Sequence, residues 1–551
     1  MNKLKENKTI IKNIIAIILI AIFCVAITPV TFQNDTYYTI KIGEHILENG
    51  IDMKDPFSWH EDLPYTYPHW LYDLITYIIY SFAGFTGIYI ATCILAVILG
   101  LTIYFVNCKL AKNQMISFFI TIGVIYLLRG YIAARAQLVT FILFILTIYC
   151  IEGFLENRKK RYILGLIIIP ILIANLHSAV WPFYFVLYLP YIGEYFIAVL
   201  YECIVYKKFK SFIIEKRIKI LNKKDKKEKV QVLEEKLKSL KEQITKAKIK
   251  SKNNSYYKIE IEKNSNVKFL IIIMIICVLT GLLTPIGDTP YTYLIKTLQG
   301  NTTQNISEHL PMTITNHKDV LCTVIIFIIV LTFTKTKIRL NDLFMLGGLL
   351  FLMLSSKRQT SMFALICGII LNRLIISLLC AYKIRKTKLN KCNSRLSYVA
   401  IILFVLAISV YFGIPKLEAS FVNEQEYPVQ ASEWILENLD LNTLRMYNEY
   451  NYGSYLLFKG IPVFIDSRAD LYTPEFNTKT GKIEEGRFIF HAFIDTNNMG
   501  KFYGELINEY NMTHMMVYKN SKLKMYIENT GKEEFVLIYE DDQFVIYEIV
   551  K

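Results

Sequence analysis

Chemistry-bearing residues are concentrated in one stretch, 31–73, TFQNDTYYTIKIGEHILENGIDMKDPFSWHEDLPYTYPHWLYD. Its acids include Asp35, Glu44, Asp52, Asp55, Glu61, Asp62 and Asp73, beside three histidines (His45, His60 and His69) and many aromatic side chains. It lies between apolar runs, where connectors are usually short, so a polar segment of this size points to function. Further cationic and polar groups recur where other apolar runs end: Arg129 and Arg135, Asn175 and His177 in NLHS, and Lys357 with Arg358. Charge deep in hydrocarbon costs at least about 2.5–3.5 kcal/mol, so such groups face a wet cavity or a partner. Snorkelling to lipid headgroups is the plainer alternative for each cation alone. Taken with the neighbouring acids, the set reads as a cavity that recognises a phosphate. Glu308 is the only acid in NISEHLP, 305–311.

The elements that must position these groups are membrane spans. The chain has 551 residues, 53% of them hydrophobic, with mean hydropathy +0.34. A bilayer-crossing helix needs about 20 mostly apolar residues. By that measure the expected spans are 10–30, 86–107, 115–128, 137–155, 162–176, 180–204, 269–286, 320–334, 341–356, 360–380 and 397–413. The first is read as a retained anchor, because Ala26–Pro29 is a poor cleavage site. With the N-terminus in the cytoplasm, the basic loops (Lys109/Lys112, Arg158–Arg161, 205–268, Lys335–Arg339 and Lys383–Arg395) all fall on the inner side, as the positive-inside rule requires. The same rule accounts for the +15 net charge without nucleic acid. All eight histidines then lie outside, including His309, His317, His491 and His514.

Two soluble parts complete the chain. Residues 205–268 form a basic cytoplasmic insert in which Val230, Leu233, Leu237, Leu240, Ile244 and Ala247 make a short a/d seam. It is either a coiled coil for a cytoplasmic partner or a solvated helical hairpin near anionic headgroups. From 414 to 551 the composition turns soluble. Helices are expected at Pro428–Leu439 and Met499–Tyr510, strands at Leu444–Tyr447, Pro462–Asp466 and Thr513–Tyr518, and a terminal hairpin at Phe535–Val550. This predicts an extracytoplasmic α/β domain. FIDSRADLY (464–472) offers Asp466, Arg468 and Asp470, as an ion-pair turn or as acceptor-binding groups over the cavity. All ten cysteines lie in spans or inside, so no outer disulfide framework is expected, and no Cys/His spacing suits zinc.

The pattern resembles the GT-C superfamily of integral-membrane glycosyltransferases, which includes protein mannosyltransferases, aminoarabinose transferases and oligosaccharyltransferases. The resemblance rests on an acid after span one (Asp35), DPFSW (55–59), HWLYD (69–73), RAQ (135–137) and NLHS (175–178). NISEHLP is similar to the oligosaccharyltransferase external-loop motif of the SVSEH type, and NEYNYGSYL (448–456) more distantly to WWDYG. The tryptophan pair of that motif is replaced by Glu449–Tyr450, and the second outer loop lacks the acid that supplies metal ligands in oligosaccharyltransferases. A general GT-C transferase is therefore expected, with about 11 membrane helices over 1–413, a first outer loop at 31–85, and the outer domain at 414–551.

The resemblance implies a polyprenyl-phosphate-sugar donor and an envelope polymer, lipid or protein as acceptor, met at the outer face of the cell membrane. Asp35 would be the general base for inverting transfer, with Asp55 as the alternative. His69, Arg135, Gln137, Asn175, His177, Glu308, Lys357 and Arg358 would bind substrate, the cations stabilising developing phosphate charge. No cofactor is certain; Asp35 and Glu308 are the candidates for a divalent Mg or Mn ion. Tyr37, Trp59, Tyr65, Tyr67 and Trp70 could stack on sugar or anchor at the interface. The competing readings are a flippase or transporter of a lipid-linked precursor, for which Pro170 inside a span is the best sign, and a non-catalytic envelope-assembly protein.

Overall fold

A computed structural model describes residues 2–550 except 203, 223–226, 246–253, 257, 301–304, 314–317, 383–394, 480 and 532. His317 and the basic stretch 383–394 lie outside the described residues, as does the end of the a/d seam at Ala247.

All eleven expected spans are helical. Among the described residues, seven helices are long and apolar enough to cross a membrane: Ile10–Ile27, Trp70–Ala111, Gln114–Tyr131, Ala136–Asn157, Ser178–Leu200, Lys357–Ala381 and Val399–Leu417. The remaining four, Lys160–Leu176, Val267–Leu282, Lys318–Phe333 and Leu340–Ser355, are shorter. The polytopic helical architecture therefore stands, with seven full-length helices where eleven spans were expected. Pro170 sits inside Lys160–Leu176 without ending the helix.

The segment expected to be the first outer loop is more ordered than a connector. After α1 (Asn2–Ile27) comes α2 (Asn34–Asn49), and α3 (Trp70–Ala111) begins sixteen residues before its expected span. At 1.5 Å per residue, the part of α3 after Gly84 runs about 40 Å, enough to cross the hydrocarbon core alone, so the part before Gly84 projects beyond it. Gly84 breaks it with φ 57° and ψ −152°, a conformation open only to glycine. The projecting end packs on α2 backbone to backbone: a Cβ on Gly43 would lie 2.1 Å from the Asp73 carbonyl oxygen.

The insert contains two helices, Ile204–Asn222 and Lys227–Thr245, packed as a hairpin with Lys241 2.7 Å from Glu215. Val230 of the seam is buried there. Strands β1 (Asn254–Tyr256), β2 (Ile259–Ile261) and β3 (Ile338–Arg339) form a small sheet beside it.

In the C-terminal part, β4 (Met446–Tyr447), β5 (His514–Tyr518), β6 (Phe535–Glu540) and β7 (Phe544–Ile549) form one sheet in the order β4-β5-β7-β6. The β4/β5 pair is parallel and the other pairs are antiparallel. Helices flank it at Val429–Asn438, Tyr450–Phe458, Ile489–Asn497, Tyr503–Tyr510 and Lys522–Thr530. The expected strand at Pro462–Asp466 is absent from the sheet, because Val463 bridges to Ser58 of the first loop. That exchange is general: Phe32, Tyr37, Ile40, Leu63 and Tyr65 share one buried core with Tyr427, Tyr455, Val463 and Phe464. A second core fills the helical bundle.

Candidate active site

The site forms where helix ends converge under the C-terminal domain. Asp35 stands in the first turn of α2, where the helix dipole favours a carboxylate. Arg135 precedes Ala136–Asn157 as its N-cap and lies 2.9 Å from Asp35. The same guanidinium reaches Glu308 at 3.5 Å. Burial alone would lower the Arg135 pKa, but the Asp35 and Glu308 carboxylates raise it beyond its ordinary value. Glu308 is held by its backbone: its carbonyl accepts from Arg358 N at 2.9 Å, and Leu310 O accepts from Lys357 N at 2.9 Å. The NISEHLP segment is thereby docked onto the turn that carries both cations.

Two cavities meet at this junction. The larger, about 680 Å³, is lined by Asp35, Tyr38, His69, Arg135, His177, Glu308, His309 and Arg358, and roofed by Tyr450, Ser467, Arg468 and Asp470 of the C-terminal domain. The smaller, about 420 Å³, lies on the other side of Arg135, Glu308 and Arg358; Arg129, Gln137, Asp319 and Lys357 line it. Arg129 is paired with Asp319 at 2.9 Å. Among the described residues, Lys357 and Arg358 have no carboxylate partner; Arg358 makes only a long contact of 3.5 Å to His309 Nε2. Burial and the nearby Arg358 push His309 down to about 4, so its imidazole is neutral.

The histidines differ in state. His69 Nδ1 lies 3.0 Å from both oxygens of Asp73, and its Nε2 lies 3.4 Å from the Tyr38 hydroxyl. Burial lowers the pKa of His69, yet the Asp73 carboxylate, helped by Asp35, raises it overall. His177 lies opposite, its ring centroid 6.1 Å from that of His69, with Nδ1 2.9 Å from Thr140 Oγ1. Burial, His69 and Arg358 together hold His177 well below its ordinary value.

Several expected site residues are placed elsewhere. Asp55 lies outside both cavities: its carboxylate is buried, 2.7 Å from Arg468, and caps its own DPFSW turn through Phe57 N and Ser58 N. Although burial raises an acid, Arg468 keeps Asp55 below its ordinary value. It is a structural anion with no access to a substrate hydroxyl, so the alternative base is withdrawn. Arg468 also binds Asp466 at 2.6 Å, which makes FIDSRADLY chiefly an ion-pair turn; Asp470 reaches the cavity and accepts from Tyr293 at 2.5 Å. Asn175 is absent from both linings. It accepts from Trp70 Nε1 and donates to Ile171 O and Leu283 O, tying helix ends together. Of the five aromatics expected to stack on sugar, Tyr65 alone lines the larger cavity. Tyr37 and Tyr67 are buried, and Trp59 packs on Phe464.

Sequence reasoning did not single out Tyr38, Asp73, Tyr293 or Tyr450. The i,i+4 spacing of His69 and Asp73 was the available signal, visible only once α3 is known to start at Trp70.

No family model matches the sequence, and no curated protein is a significant match. Among solved structures, the apo oligosaccharyltransferase of Archaeoglobus fulgidus is similar with TM-score 0.53 and 12% identity, over 91% of this chain and 69% of that one. The chain has a GT-C-like fold. A structure of the oligosaccharyltransferase AglB of the same organism, in complex with an inhibitory peptide and a dolichol-phosphate, gives TM-score 0.48 at 12% identity, over 91% and 68% of the two chains. Within this GT-C-like frame the two acids considered for a divalent ion do not fit one as arranged. Asp35 and Glu308 are joined through the Arg135 guanidinium, and among the described residues no three His, Cys, Asp or Glu side chains converge on one point.

Proposed function

We propose that this chain is a glycosyltransferase that moves a sugar from a polyprenyl-phosphate carrier to an envelope acceptor at the outer face of the cell membrane, with inversion at the anomeric carbon. The observation that carries the reading is the convergence of Asp35, Arg135, Glu308 and the uncompensated Arg358 on one cavity where the helical bundle meets the C-terminal domain. A lipid phosphate needs fixed cations at the membrane edge, and a planar guanidinium can bind two of its oxygens. Lys357 and Arg358 are the available groups; Arg135 is committed to its two acids.

In this reading, Asp35 accepts the proton of the acceptor hydroxyl as its oxygen attacks the anomeric carbon. The bond from that carbon to the phosphate oxygen breaks, and the departing lipid phosphate carries the electron pair. Its extra charge is met by Arg358 and Lys357 in a site of low dielectric. No protonation of the leaving group is needed, because phosphate is already a good leaving group. Glu308 holds Arg135, and Arg135 orients Asp35. Sugar and acceptor fit the larger cavity beneath Tyr450 and Asp470.

The test is reconstitution of the purified chain in liposomes with polyprenyl-phosphate sugars, comparing wild type with Asp35→Asn. Transfer by wild type and its loss in the variant support the reading. Equal transfer by both removes Asp35 from the mechanism, and movement of the lipid across the bilayer without transfer favours a flippase.

A further inference from the structure

Asp73 is fully buried, yet it belongs to a group that reaches the larger cavity. One turn of α3 separates it from His69, which caps that helix and exposes 15% of its side chain. Both Asp73 oxygens lie 3.0 Å from Nδ1, so the ring is fixed in plane and the Nδ1 proton is committed to the carboxylate. The other nitrogen, Nε2, has the Tyr38 hydroxyl 3.4 Å away, and both residues line the larger cavity. Gly43 makes the arrangement rigid, since α2 rests directly on the Asp73 carbonyl and brings Tyr38 and Asp35 to the same side.

We propose that Asp73 is a positioning residue that keeps His69 an imidazolium with its Nε2–H aimed at the phosphate of the lipid-carried donor. This rests on the lipid-phosphate reading of the site and adds to it a cation that titrates. As the sugar leaves, the phosphate passes from a singly charged diester to a doubly charged monoester, and a charge-assisted hydrogen bond from Nε2 is strongest to that product. The proton stays on His69 throughout.

The groups around His69 agree with this role. Asp73 on its own helix and Asp35 on α2 favour its charged form; Arg358 on the turn before Thr360–Ala381 opposes it. Arg135 is neutralised by Asp35 and Glu308, Tyr38 is a neutral hydroxyl, and His177 is kept uncharged. One of the two facing imidazoles therefore carries the charge, and it is the one with the buried carboxylate.

The experiment measures binding of a short-chain polyprenyl monophosphate to the full-length protein in detergent as pH is raised from just above the second ionisation of the phosphate, about 6. Wild-type affinity should fall about tenfold as His69 loses its proton, the worth of one charge-assisted hydrogen bond. Asp73→Asn should move that loss to lower pH. His69→Gln, which leaves the buried carboxylate in place, should bind weakly and without pH dependence in this range. An Asp73→Asn profile that overlays wild type, or affinity that rises with pH, overturns the proposal and leaves the lipid-phosphate site standing. Absence of wild-type binding at every pH overturns both.

Discussion

Arg135 lies 2.9 Å from Asp35, closing an ion pair between the N-cap of one bundle helix and the first turn of α2. With Glu308 at 3.5 Å on the other side, the guanidinium links three distant parts of the chain and forms the wall between the two cavities. Asp35→Asn should lower transfer by about 10²–10⁴-fold, the range of a general base. Its melting temperature should stay near wild type, since the carboxylate is partly exposed. Initial rates and thermal denaturation in detergent separate the two effects.

Arg358 and Lys357 should differ from Arg129 in mutagenesis. Arg358→Ala should raise the KM for the lipid donor and lower kcat, with an overall loss of about 10²-fold, because it removes an uncompensated cation from both cavities. Arg129→Ala breaks a pair with Asp319 in which both side chains are about one-third exposed, and should cost no more than a few-fold. Steady-state kinetics on the two alanine variants checks the order.

The Asp55–Arg468–Asp466 cluster should be a stability element. Arg468→Met leaves two buried carboxylates uncompensated, which costs about 3–5 kcal/mol. The pH dependence has a defined sign. The folded-state pKa of Asp55 is depressed below the ordinary 3.8, so its contribution is present above that value and is lost as pH falls through the folded pKa. Melting followed by tryptophan fluorescence should show wild type losing stability on acidification, and Asp55→Asn should be unstable already at neutral pH.

Gly43→Val should dislodge α2 from α3, because a Cβ there would meet the Asp73 carbonyl oxygen at 2.1 Å and Tyr77 Cβ at 2.6 Å. Overpacking of this kind costs about 1–3 kcal/mol. Transfer should fall with it, since the same contact aligns Asp35, Tyr38 and His69. A paired measurement of melting and activity reads both.

The orientation can be read by labelling. Glu61 is exposed in the segment between α2 and α3, which is expected to face outside, and Lys160 is exposed at the start of Lys160–Leu176, which is expected to face inside. In a background without reactive native thiols, Glu61→Cys should react with an impermeant maleimide added to intact cells, and Lys160→Cys should react only after lysis. The reverse result would invert the topology.

Apolar length and charge bias are local properties, so the eleven helical segments and the soluble C-terminal part were legible in the sequence. A helix in lipid must satisfy its own backbone, which ties span prediction to composition alone. Arg135 and Arg358 stood out for a related reason, since ionisable groups at span ends are costly and therefore conspicuous; Asp35 and Glu308 stood out through loop motifs that resemble the GT-C superfamily. Whether a side chain faces the cavity was not legible. Asp55 and Asp35 look equivalent as acids of one loop, and only the buried arrival of Arg468 from the far end of the chain makes Asp55 structural. Asn175 likewise reads as a site residue until its partners Trp70 and Leu283 are in place. Pro462–Asp466 has the composition of a strand, but the first loop takes its pairing. Composition and spacing determined the elements; the packing of the first loop into the core of the C-terminal domain decided which of its charges remain free to act.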